Sequence, residues 1–171
     1  DLVRSRGLGD VYKRQLLEGS RVAKLGFSSA GDVTPATTVE NGLLSGVTLD
    51  GKPLSLGAGG RVGEGRIAAQ LTIRDQLAPA LQSEADALAG DLIARFDAAA
   101  KTLAPDGEGL FRDASGTGGA GLAGRLVIAA DYDPDQGGAL WRIRNGAGTT
   151  TERPGDAGGL IAVSYTHLRA H

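Results

Sequence analysis

The spacing of apolar residues changes along the chain, and each change predicts a different kind of structure. In residues 16–60 the pattern is that of short strands. Val47 and Leu49 alternate with Thr48, and Asp50-Gly51 follows directly. Asp-Gly flanked by alternating apolar residues is a strong β-hairpin signal. "LLEGSRVAKLGF" likewise has a turn signal, Gly19-Ser20, between two short apolar stretches. We therefore predict a β-hairpin region over 16–60.

Residues 61–104 switch to helical spacing. From about Val62 to Lys101, apolar residues recur mostly three and four positions apart, which is typical of an amphipathic helix. Pro79 lies inside this run, and because it lacks a backbone donor we predict a kink or a second helix start there. Arg74 interrupts the apolar stripe. We interpret Arg74-Asp75 as a structural pair that caps or bridges a neighbouring element.

Residues 105–162 are rich in loop signals. "GRLVIAADYDP" predicts a strand over 125–130, and the alternation of Trp141 and Ile143 with arginines mildly favours another strand. The remainder, to Ala162, reads as polar loop before a short apolar end. The fold class that follows is α+β: a long amphipathic helix with a flanking β-hairpin and short strands.

The apolar stripe requires a partner. A helix of about 35 to 40 residues with one apolar face is marginal alone and needs tertiary packing. A hairpin covers only part of a rod of about 55 Å, so other helices, or another subunit, should lie beside it. The residues that we expect to pack or to form an interface are Ile67, Leu71, Leu81, Leu88, Leu92, Phe96 and Trp141. For Trp141 an interface anchor and a partly buried core position both remain open.

Composition narrows the possible chemistry. The aromatic fraction is 4%, so the core must be built from Leu, Val, Ile and Ala. Cysteine is absent, which excludes disulfides, thiolate metal sites and cysteine nucleophiles. No apolar run approaches the roughly 20 residues that a membrane span needs, and "DLVRSRGLGDVYKRQ" lacks the apolar region of a secretory signal.

Both ends of the chain look foreign. "RGLGDVYKRQ" and "VSYTHLRAH" resemble conceptually translated sequencing-adaptor sequence, so we expect residues 1–15 and 163–171 to be non-native and the rest to be an internal piece of a longer protein. His167 and His171, spaced like a metal pair on a helix, would then have no native role. Without both ends, the chain has 13 basic and 18 acidic residues, a net charge of −5. This balance argues against a nucleic-acid partner.

Two motifs offer candidate ligand chemistry, and we favour a structural interpretation of both. "GAGLAG", residues 119–124, matches a dinucleotide-binding pattern, but that motif needs a strand before it and a helix after it. "DYDPDQGG" places Asp131, Asp133 and Asp135 like the start of a calcium loop, yet positions 6 and 12 hold Gln136 and Arg142 instead of Gly and Glu. We expect a solvated turn there, with a weak cation site as the alternative.

The remaining candidates for catalysis are carboxylates. Glu84, Asp86, Asp91 and Asp97 lie along the predicted helix, where a solvated face is the default. A glycosidase would need two carboxylates facing each other across a cleft. With no cysteine and no native histidine, the usual nucleophilic triads cannot be assembled. We therefore predict no catalytic residue, no cofactor and no resident metal.

The ordered segments "LLEGSRVAKLGF", "LSGVTLDGKPLSL", "GGRVGEGRIAAQLTIRDQLAPALQSEADALAGDLIARFD", "EGLF" and "GLAGRLVIAADYDPDQGGALWRIRNG" resemble the middle of the flagellar hook-associated protein 1 family, the hook–filament junction proteins. The form is similar to that of alphaproteobacteria, and the resemblance covers residues 16–162. One departure is Gly63–Gly65, where the family usually has a shorter link.

The resemblance implies a structural subunit and not an enzyme. Long helices would form an axial rod around a hollow tube, and β-rich regions would decorate its outside. The implied partners are further copies of the chain, neighbouring flagellar hook and hook-associated proteins, and the flagellar export apparatus with its chaperone. The implied location is extracellular, after export without a cleaved signal. Two alternatives remain: another secreted flagellar rod or hook-associated structural protein, and a secreted glycan hydrolase.

Overall fold

The described residues form short antiparallel strands, one long helical run and several shorter helices, which confirms the α+β class. The structure, a computed structural model, describes residues 17–18, 21–54 and 65–168. The chain divides into two compact units, Asp1–Leu81 and Gln82–His171. Residues 1–16 and 169–171, as well as the predicted helix start near Val62, lie outside the described residues.

The first unit begins with two small antiparallel sheets. β1 (Leu17–Glu18) pairs with β2 (Arg21–Val22), and a second sheet has the order β3 (Leu25–Gly26), β4 (Thr48–Leu49) and β5 (Lys52–Pro53). The hairpin at Asp50-Gly51 is confirmed, and β1 and β2 pair as the stretches on either side of Gly19-Ser20 predict. The predicted turn at Gly19-Ser20 itself lies outside the described residues. Asp50 and Gly51, between β4 and β5, have φ values of 51° and 78°. Two successive positive φ values are those of the type I′ turn, which matches the twist of the strands.

The long helical run comprises α1 (Arg66–Thr72), a π-helical segment (Ile73–Leu77) and α2 (Ala78–Leu103). The π segment ends two residues before Pro79. Here the amide of Ala78 donates to the carbonyl of Ile73, five residues back. Proline lacks an amide hydrogen, and its ring conflicts with the carbonyl four residues earlier. The wider π turn accommodates this defect without ending the helix.

The second unit contains one further sheet. β6 (Phe111–Asp113) pairs antiparallel with β7 (Leu126–Ile128), with Phe111 opposite Ile128. β7 confirms the predicted strand over 125–130, whereas β6 lies in a segment predicted as loop. A 3-10 turn at Leu122–Arg125 leads directly into β7. Two further 3-10 turns, at Ala130–Tyr132 and Pro134–Gln136, follow β7.

Two helices near the end of the second unit differ from the predictions. α3 (Trp141–Asn145) replaces the favoured strand, and α4 (Gly158–Leu168) replaces a loop with a short apolar end. A five-residue alternation fits either period, so the sequence pattern did not decide for α3. Gly146, with a φ of 107°, ends that helix. The expectation that residues 163–171 are non-native stays a prediction.

Candidate functional site

The residues predicted to pack fall into two groups by exposure. Leu71 is buried, with 9% of its surface exposed, and Phe96 meets the ring of Phe111 edge to face, with centroids 5.0 Å apart. Leu92 and Trp141 are partly exposed. By contrast, three predicted stripe residues are largely exposed: Ile67 (59%), Leu81 (56%) and Leu88 (63%). Whether a partner covers these three remains a prediction.

Beside α2, the second unit has a concavity of about 190 Å³, which we call the apolar hollow. Its lining contains Arg142 as the one charged residue and includes no carboxylate. The other lining residues are Phe96, Ala99, Ala100, Leu103, Leu110, Tyr132, Ile143, Gly146, Ala147, Gly159, Leu160 and Val163. The hydroxyl of Tyr132 donates to the carbonyl oxygen of Glu108 at 2.9 Å, and burial raises the pKa of this tyrosine.

The "GAGLAG" loop already holds an anion, the carboxylate of Asp86. The amide of Gly121 donates to Asp86 at 2.7 Å and the amide of Ala123 donates at 2.8 Å. Gln82 adds a third bond from its side-chain amide at 2.9 Å. The bond from Ala123 is the main reason that the pKa of Asp86 lies below its ordinary value, with burial opposing it. The loop amides that would bind a phosphate in a nucleotide site therefore bind Asp86 here, and they fix the loop to the helix.

The other helix carboxylates are not all solvated either. The side chain of Asp97 accepts a hydrogen bond from the amide of Gly109 at 2.9 Å, and Asp91 pairs with Arg95 one turn away at 2.7 Å. A uniformly solvated acidic face was therefore the wrong prediction for Asp86 and Asp97. The helical spacing could not reveal their roles, because their partners lie 12 to 37 residues further along the chain.

A second carboxylate organises the loop between β6 and β7. Asp113 accepts hydrogen bonds from Nε of Arg125 at 3.0 Å and from the amides of Ser115 (3.0 Å) and Gly118 (2.9 Å). The Arg125 guanidinium is the main cause that holds the pKa of Asp113 far below its ordinary value. Sequence analysis did not single out this residue, and no short motif surrounds it.

In the candidate cation loop, Asp131 and Asp133 interact with different partners. Asp131 forms an ion pair with Arg142 at 3.2 Å. Asp133 accepts from the amide of Asp135 at 3.0 Å and from the side-chain amide of Gln136 at 2.7 Å. Within residues 17–18, 21–54 and 65–168, no group of three or more His, Asp or Glu is arranged to hold a metal ion. The arrangement is that of a hydrogen-bonded turn.

Arg74 bridges two elements of the first unit, as its pairing with Asp75 led us to expect. Its guanidinium forms a two-point ion pair with Asp75 and donates to the carbonyl of Ser45 at 3.0 Å. It also lies over the ring of Phe27, 5.9 Å from the centroid. The interruption of the stripe therefore ties the π segment to the loop before β4.

Comparison with known proteins finds no matching family model, no matching curated protein and no matching solved structure. None of the helices in the described ranges combines the length and the apolar character that crossing a membrane requires.

Proposed function

We propose that this chain is a structural subunit of the bacterial flagellum at the junction of hook and filament. It acts by self-association and by contacts with neighbouring hook and hook-associated proteins. The observation that carries the self-association is the exposure of large apolar residues on the long helix. In the first unit Ile73, Leu77 and Leu81, each four residues from the next, are 54%, 51% and 56% exposed. In the second unit Leu88 is 63% exposed.

Such exposure favours a protein partner over solvent. Residues four apart share one side of a helix, so Ile73, Leu77 and Leu81 form a contiguous apolar row. Soluble proteins seldom leave contiguous apolar surface in water unless it serves an interaction. Covering a fully exposed leucine contributes roughly 1.5–3 kcal/mol. These side chains are about half exposed, so each contributes about half of that, and the row as a whole favours association of copies.

The flagellar assignment rests on the resemblance of the sequence segments, above all "RDQLAPALQSEADALAGDLIARF". In this protein that stretch is helical from the π segment through most of α2. A long helix with an exposed apolar row is what a rod-forming subunit requires. The proposal places the protein outside the cell, with the export apparatus and its chaperone as transient partners.

Sedimentation of the chain over a wide concentration range tests the self-association. We expect concentration-dependent oligomers that Leu81→Asp weakens by at least about tenfold, because it places a charge where association would cover an apolar side chain. Ser83→Asp adds the same charge at an exposed position of the same helix and should leave association nearly unchanged. A monomer at every concentration would contradict the proposal.

Immunogold labelling of flagella from the source bacterium tests the location. Antibodies raised against this chain should mark a single band between hook and filament, and a strain lacking the gene should show none. Label restricted to the rod or to the filament tip would favour a different flagellar structural protein. Flagella without any label would contradict the flagellar assignment.

A further inference from the structure

We propose that Leu88 of one copy docks into the apolar hollow of a second copy, and that Glu84 of the first pairs with Arg142 of the second. This inference rests on the proposed self-association and deepens it by naming the two surfaces that meet. The surfaces differ from each other, so each copy offers both a protruding leucine and a receiving hollow.

The size and lining of the hollow suit one aliphatic side chain. Its volume is about 190 Å³, and an apolar cavity of about 150 Å³ is enough to hold benzene. A leucine that entered it would contact Phe96, Leu103, Ile143 and Leu160. Leu103 and Leu160 are 43% and 53% exposed, so the incoming residue would also remove apolar surface of the hollow from water.

Leu88 is the most exposed leucine or isoleucine between Arg66 and Leu103. Glu84 lies four residues before it and Asp91 three residues after it, both exposed, and residues at these spacings lie on the same side of a helix. Asp91 is engaged with Arg95. Leu88 thus projects from an acidic surface on which Glu84 stands next to it.

The lining of the hollow contains one cationic side chain, which is partly exposed. Arg142 is the charged member of the lining, and its Nη1 pairs with Asp131. Its side chain is 25% accessible, so part of the guanidinium is open to a second carboxylate. The carboxylate of Glu84 from another copy approaches this exposed part and supplies the complementary charge.

A copy cannot fill its own hollow with this leucine. Leu88 and Ala99, which lines the hollow, are eleven residues apart on one helix, a separation of roughly 16 Å along its axis. The contact must therefore be between copies. Because the two surfaces are different, the contact repeats from copy to copy and forms a ring or a helical array.

Complementation between two variants tests the contact directly. Leu88→Asp removes the protruding leucine but keeps the hollow, and Leu160→Trp fills the hollow but keeps the leucine. We expect each variant alone to associate at least about tenfold more weakly than the wild type. An equimolar mixture should form a one-to-one complex in sedimentation velocity. Ser83→Asp mixed with wild type serves as the control, and circular dichroism checks the fold of each protein.

A charge exchange tests the ion pair. Arg142→Glu and Glu84→Lys should each weaken association, and the double variant should restore it to within about threefold of the wild type. Arg66→Glu, at an exposed position of α1, is the control for charge reversal. Should Arg142→Glu lower the helical content, the complementation experiment decides by itself.

The outcomes separate this inference from the proposed function. If the wild type associates while Leu160→Trp and the charge exchange leave association unchanged, the hollow is not the receiving surface, but self-association stands. A mixture of Leu88→Asp and Leu160→Trp that stays monomeric overturns the inference as well. A wild type that never associates overturns both.

Discussion

Both units have glycine-rich loops and few aromatic residues, and the two units fix these loops by different sets of hydrogen bonds. In the first unit, the polar ties are at the surface: Asp50 accepts from the amide of Lys24, and Asn41 donates to the carbonyl of Ala36. In the second unit, Asp86 and Asp113 collect several backbone amides each. In addition, Gly109 allows its loop to approach the helix backbone at Asp97 closely. In the second unit, carboxylates that bind backbone amides therefore fix the loops, where no large side chain is fully buried in the described residues.

The largest effect should come from removing the space between a loop and the helix. A Cβ on Gly109 would lie 2.5 Å from the Asp97 carboxylate and 2.6 Å from the Asp97 backbone nitrogen, closer than atoms can approach. We expect Gly109→Ala to lower the free energy of unfolding of the second unit by about 1–3 kcal/mol, toward the upper end. Urea unfolding monitored by amide hydrogen exchange measures it.

Gly124→Ala is the matched control, since a Cβ there meets nothing within 4 Å. Its effect on unfolding should be within about 0.5 kcal/mol. Equal effects of the two substitutions would mean that the close approach at Gly109 does not contribute to stability.

Two asparagines give the next comparison. Asn145 is buried, with 3% of its surface exposed, and its side-chain amide donates to the carbonyls of Arg153 and Asp156 at 2.8 and 3.1 Å. Asn145→Ala leaves these acceptors unsatisfied and should cost about 1–3 kcal/mol in thermal unfolding. Asn41→Ala, in an exposed loop, should cost less than about 1 kcal/mol because water replaces its partners. A reversed order would refute the contrast between the units.

Acid should weaken the second unit through Asp86 and Asp113. Both carboxyl groups have a pKa below the ordinary value of 3.8, through the amide of Ala123 and the guanidinium of Arg125 respectively. A lowered pKa means that the folded state favours the ionised form. The stability is therefore present above about pH 3.8 and is lost as the pH falls through the folded-state values. The pH dependence of urea unfolding should flatten below pH 4 in Asp86→Asn and Asp113→Asn, and stay steep in Glu84→Gln.

The smallest effect is expected at Arg74. The Arg74 side chain is 27% accessible to solvent. Partly exposed ion pairs contribute at most about 1 kcal/mol to stability. Arg74→Gln should therefore shift the midpoint of thermal unfolding only slightly, while exchange of amides near Ser45 becomes faster. A loss well above 1 kcal/mol would show that this bridge matters as much as the ties of the second unit.

The local elements of the fold could be predicted where the sequence signal is local. Asp50-Gly51 specifies its turn by backbone conformation alone, and the spacing of Leu71, Leu81 and Leu92 specifies a helix. The same reasoning failed for Trp141–Asn145, because a segment of five residues contains less than two helical turns. It also failed for α4, whose apolar residues follow a long polar stretch.

The roles of the helix carboxylates could not be predicted, for a different reason. Asp86 and Asp91 are equivalent in spacing and charge, yet one binds a glycine loop and the other an arginine on its own helix. The difference depends on which part of the chain folds back onto each turn, and this is a tertiary property. The exposure of Leu88 could not be predicted for the same reason. The periodicity assigns Leu88 to the apolar stripe, but it does not indicate whether the residues that cover this side chain belong to the same chain.

The π segment at Ile73–Leu77 has a consequence for changes in chain length. A π turn contains about one residue more than an α turn. In a Pro79→Ala background, deleting one residue of this segment should therefore convert it to ordinary α-helix with every amide bonded. The same deletion between Ala89 and Ala100 would rotate all later side chains by about 100° relative to Asp86 and separate Asp86 from the amides of Gly121 and Ala123. Natural length variation in this helix should accordingly concentrate at the turn before the proline.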